Sequence, residues 1–144
     1  MRSLPMSTDL GRASAVTDAP EGPCLGTVSL SYEDRLLRRR RLATADGDTL
    51  LVDLPETRSL DAGSALQLEA GHVTVTAAPE PLLRVTGDLA RLAWHIGNRH
   101  TPCQVTPDAL LIQADHVLAA MLTGLGAGVA EVTQPFTPEG GAYG

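Results

Sequence analysis

The sequence predicts an α+β protein, a small all-β domain followed by a ferredoxin-like βαββαβ domain. Two observations carry that expectation. Up to about Pro79, short apolar runs alternate with turn signals and show no helical period. Beyond it, two amphipathic helical segments are interleaved with strands in the order strand, helix, strand, strand, helix, strand.

The elements follow in order. Residues 1–22 are rich in Ser, Thr, Pro, Asp and Gly without a period, and read as a mobile tail. The β domain is expected over 23–79. Thr27 to Ser31 and Leu36 to Ala43 read as strands, and Asp46-Gly47-Asp48 turns the chain into a strand from Thr49 to Leu54. After Ala70-Gly71-His72, the run Val73-Thr74-Val75-Thr76 alternates with period two, as a half-buried strand does.

The second domain is expected over 80–144. Leu82 to Val85 reads as a strand. Leu89, Leu92, Ala93 and Ile96 fall on one helix face, with Asp88 at the start and Gly97-Asn98 as the stop. Pro102 to Val105 and Ala109 to Ile112 form a hairpin around Thr106-Pro107-Asp108. Val117, Leu118, Met121, Leu122 and Leu125 mark a second helix closed by Gly126, and Val129 to Thr133 is the last strand.

Composition narrows the function. Of 144 residues, 43% are hydrophobic, enough for a core in one or two small domains. The formal charge is −6 and every one of the 11 basic residues is Arg, a balance that disfavours general nucleic-acid binding. One Trp, two Tyr and one Phe leave little for base stacking. No apolar run has membrane-spanning length, and residues 1–22 lack the apolar centre of a secretory signal. With Cys24 and Cys103 as its two cysteines, the chain is expected in the reducing cytoplasm with free thiols.

Chemistry concentrates in the second half. His72, beside a turn glycine, reads as a solvated loop residue. His95 falls on the last turn of the first helix, as a C-terminal cap or a metal ligand. His100 lies just past the helix stop, and His116 opens the second helix beside Asp115, a candidate N-cap. There is no HExxH, CxxC pair or Cys2His2 spacing. A metal-dependent hydrolase using these histidines stays open, as does a non-catalytic protein-binding module. The alternation of Cys103 with Val105 on a strand reads as a buried small hydrophobe rather than a nucleophile. Side chains of the run Arg38-Arg39-Arg40-Arg41 on a strand point to opposite faces and do not make one patch.

The segment Trp94-His95-Ile96-Gly97-Asn98-Arg99-His100-Thr101-Pro102 resembles the signature of the urease accessory protein UreE family, the nickel metallochaperones. Asp115-His116-Val117-Leu118 with Met121-Leu122 is similar to the family's second-helix pattern, and Phe136-Thr137-Pro138-Glu139-Gly140-Gly141-Ala142-Tyr143 to its closing motif. The resemblance implies a β domain that binds peptide, then a metal-binding domain that forms a homodimer. It implies no catalysis but delivery of Ni(II) to the urease apoprotein together with other urease accessory proteins, with Zn(II) or Cu(II) in competition. His100 matches the family's central ligand, expected at the dimer interface, and His116 a peripheral one. Ala114 stands where some members have a further His.

Overall fold

The computed structural model describes residues 7–140. The chain divides between Ala77 and Ala78 into two compact units, each with its own core.

The first unit is all β. One sheet has the order β1-β5-β4, built from β1 (Asp9–Ala13), β4 (Leu36–Ala43) and β5 (Thr49–Ser59). The other has the order β2-β6-β7-β3, from β2 (Ala15–Thr17), β3 (Cys24–Leu30), β6 (Ala65–Gln67) and β7 (His72–Ala77). Alternation supplies the core: Leu50, Val52 and Leu54 of β5 are buried, as are Val73 and Val75 of β7 and Val28 of β3. They form one apolar cluster to which both sheets contribute, burial worth about 1.5–3 kcal/mol per large side chain. Gly71 precedes β7 because a Cβ there would run into the carbonyl oxygen of Pro23, which accepts the His72 N–H at 2.9 Å.

Three expectations change here. Residues 9–17 are not a mobile tail: β1 pairs in parallel with β5, β2 pairs antiparallel with β6, and Ala13 is fully buried. Strands of five and three residues carry too few side chains to show a period, and distant partners stabilise them. β5 runs on past Leu54 to Ser59, accommodating Pro55 because the register with β4 shifts between Leu37 and Arg39. His72 is the first residue of β7 rather than a loop residue, half-buried, with Nδ1 3.1 Å from the Gly22 carbonyl oxygen.

The second unit runs β8 (Pro79–Thr86), α1 (Leu89–Asn98), β9 (Gln104–Val105), β10 (Leu110–Gln113), α2 (His116–Gly124) and β11 (Gly128–Pro135). Its antiparallel sheet has the order β11-β8-β10-β9, the ferredoxin-like arrangement. Leu92 and Ile96 of α1 and Leu118 and Leu122 of α2 are buried against Leu83, Val85, Leu110 and Ile112 on one sheet face.

The other face carries Leu82 and Leu111, 0% and 2% exposed, although both helices among the described residues of this unit pack on the first face. The segment after β11 crosses it. Thr137 donates its backbone N–H to Gln104 Oε1 at 2.9 Å, and Gln104 pairs with Leu111, so its side chain lies on this face. Glu139 then donates its N–H to the Cys103 carbonyl at 2.8 Å, beside β9 at the opposite edge from β11. Three strand spacings are about 14 Å, the reach of about four extended residues. Phe136 starts the crossing and is fully buried.

Candidate metal centre

α1 begins at Asp88, whose carboxylate accepts from the Arg91 N–H at 3.3 Å, and it ends later than the sequence predicts. Gly97 and Asn98 lie inside the helix and Arg99 caps it. The left-handed position just past the cap, usually glycine, is held by His100 at φ +57°. Among the described residues it is the one non-glycine with positive φ. The His100 N–H donates to the Gly97 carbonyl at 3.0 Å and the Thr101 N–H to that of Ile96 at 3.4 Å, the paired bonds of a Schellman motif. Since Ile96 is fully buried, the exposed His100 is tied by two short steps to the core. The signal for this longer helix was Pro102, which commonly follows a helix end by a few residues.

His116 is the first residue of α2 and exposed. Asp115 is the N-cap as expected, its Oδ1 accepting from Val117 and Leu118 at 2.8 and 3.1 Å. That carboxylate is thus occupied by the helix start. His95 stays in the last turn of α1, half-buried, with its ring edge-on to Trp94 at 5.0 Å between centroids. Cys103 precedes β9 and is half-buried rather than buried; Val105 is exposed. Burial, and then the nearby Glu139 carboxylate, push the Cys103 thiol pKa up.

Among the described residues, no three His, Cys, Asp or Glu side chains are placed to hold one metal ion. His100 and His116 are exposed imidazoles of the kind that suits Ni(II), Zn(II) or Cu(II). They sit on the same unit, each at a helix end.

The N-terminal domain model of the UreE urease accessory protein matches residues 10–78, and its C-terminal domain model residues 71–144. The urease accessory protein UreE of Ruegeria pomeroyi is 54% identical over 143 residues, covering 98% of this chain and 93% of that protein. That of Paracoccus denitrificans is 57% identical over 130 residues, 90% and 83% of the two chains, and that of Cereibacter sphaeroides 57% identical over 124 residues, 85% and 68%. These matches define the class as a two-domain accessory protein, which serves an enzyme rather than being one, and this sets aside the hydrolase alternative. The chain belongs to the UreE urease accessory protein family. The closing motif that also resembles the family runs into Gly141-Ala142-Tyr143, outside the described residues. Among the described residues, no helix is long and apolar enough to cross a membrane.

Proposed function

We propose that this protein is a nickel metallochaperone of urease maturation, with His100 as its central ligand. Ni(II) is cargo in this reading. The observation that carries it is the exposed His100 imidazole on a left-handed backbone position fixed to the end of α1. One imidazole per chain is too few to hold the ion, so two copies of His100 share it across the two-fold axis of a homodimer. Such a sparse site releases metal more readily than a closed structural shell. His116 adds weaker, peripheral binding, and Zn(II) and Cu(II) compete for the same imidazoles. The protein works in the cytoplasm with the urease apoprotein and other urease accessory proteins, and its β domain contributes the contact with partner peptide. In this reading the β domain includes β1 and β2 and runs to Ala77, and the metal-binding and dimerisation domain follows from Ala78.

The test is equilibrium dialysis of Ni(II) with His100→Ala, alongside light scattering. The variant removes both central ligands of a shared site at once, so tight binding disappears while the dimer persists. Wild-type affinity in a dimeric variant overturns the assignment.

A further inference from the structure

The arginine run of β4 is sorted by its strand. Arg38 sits at the register shift between Leu37 and Arg39. Arg40 turns to Asp34, its Nη1 3.1 Å from the backbone oxygen and 3.7 Å from Oδ1. Arg39 and Arg41 pair with Asp53 and Leu51 of β5, whose neighbours Val52 and Leu50 are buried, so both face away from the core. Arg12 joins them from β1: it pairs with Leu51, next to the buried pair Ala13 and Val52. A run that makes no patch by itself thus contributes two guanidiniums to a face with a third from another strand.

We propose that this outward face of the β1-β5-β4 sheet docks an acidic segment of a partner protein. Asp53 Oδ2 is shared by Arg12 at 3.2 Å and Arg39 at 3.6 Å, with both arginine side chains at least 60% exposed. One carboxylate cannot engage the donors of two guanidiniums, each of which carries five N–H bonds. Arg41 forms no ion pair among the described residues, and half-buried Leu51 lies between Arg12 and Arg41. The face carries three positive charges, from Arg12, Arg39 and Arg41, to two negative ones, from Asp53 and from Asp9, which pairs with Thr49, in a chain whose formal charge is −6. Guanidiniums around a central leucine match carboxylates alternating with apolar side chains. Asp53 in the middle of the face, and the lack of any aromatic there, disfavour RNA. The inference deepens the reading of the β domain as the partner-binding part, and it does not depend on the metal.

The experiment titrates the full chain, without added metal and at low salt, with the peptide Glu-Leu-Glu-Leu-Glu and its Gln-Leu-Gln-Leu-Gln analogue, reading backbone amide shifts. The acidic peptide shifts amides of β1, β4 and β5, and the neutral analogue does not. Arg41→Ala weakens binding by about two- to fivefold and Arg41→Glu by more, as expected for exposed charge pairs. Asp53→Asn tightens binding, because it frees Arg12 and Arg39. Opposite signs for Arg41→Glu and Asp53→Asn separate this face from a general loss of fold. Acidic-peptide shifts centred elsewhere in the β domain overturn this face while keeping the domain's role. Their absence from the whole β domain, or tighter binding of oligouridylate than of the peptide, overturns the acidic-segment reading itself.

Discussion

Thr101 reaches back across the end of α1 to the carbonyl oxygen of Ile96, and His100 lies inside that closure with φ at +57°. A left-handed residue with a Cβ costs roughly 1–2 kcal/mol relative to the usual conformation, although His tolerates it better than most. The closure holds the residue that the nickel reading needs, at the expense of local backbone strain.

Replacement of His100 by Gly relieves that strain. His100→Gly is expected to be more stable than wild type by up to about 1 kcal/mol, whereas His100→Ala keeps the strained geometry and gains nothing. Both lose tight nickel binding. Urea denaturation of the metal-free proteins checks the order, and a glycine variant less stable than the alanine one would contradict it.

At the start of α2 two neighbours divide the work. Asp115→Ala removes the acceptor for the Val117 and Leu118 N–H groups and is expected to cost about 1 kcal/mol in thermal denaturation. His116→Ala leaves stability nearly unchanged, weakens secondary metal binding and spares the tight site. Calorimetric nickel titration of both variants tests the division; loss of the tight site in His116→Ala reverses the ligand order.

Phe136 anchors the crossing of the sheet. Its removal in Phe136→Ala is expected to cost about 3–5 kcal/mol, the range for a buried aromatic truncated in a core. Hydrogen exchange at the Glu139 amide should accelerate with it, since that N–H bonds to Cys103 only while the crossing holds. Unchanged exchange in the variant would show that the Cys103 end is held independently.

Cys103 sets a dependence on alkaline pH. Its folded-state pKa is raised by burial and then by Glu139, so the native state holds the thiol proton longer than the unfolded chain. The associated stability is present below the ordinary thiol pKa and is lost as pH rises through it towards the raised folded value. Iodoacetamide should therefore modify exposed Cys24 before Cys103, and Glu139→Gln should quicken Cys103 only partly, because burial remains. Peptide mass mapping over an alkaline series gives the order.

The second domain was legible because its helices are long enough for the 3.6-residue period to show and its hairpin turns on Thr106-Pro107-Asp108. The N-cap at Asp115 was readable for the same local reason. β1 and β2 were not, since each is fixed by a partner strand about 40 or more residues away in sequence. The histidines were visible as residues, but the left-handed backbone of His100 was not. Gly97 looks like the natural helix stop, and only the closing bonds past Asn98 displace that role to a histidine.

The bond from Glu139 to Cys103 has a practical consequence. It fastens the chain three residues beyond His100, within about 11 Å of it along the backbone. A polyhistidine tag inserted within a few residues after Glu139 is therefore tethered close enough to compete with the same imidazole, whatever length of chain follows. Metal stoichiometries measured on such a fusion would count the tag's own side chains at the site under study. Such an affinity handle must be cleaved before any nickel is weighed.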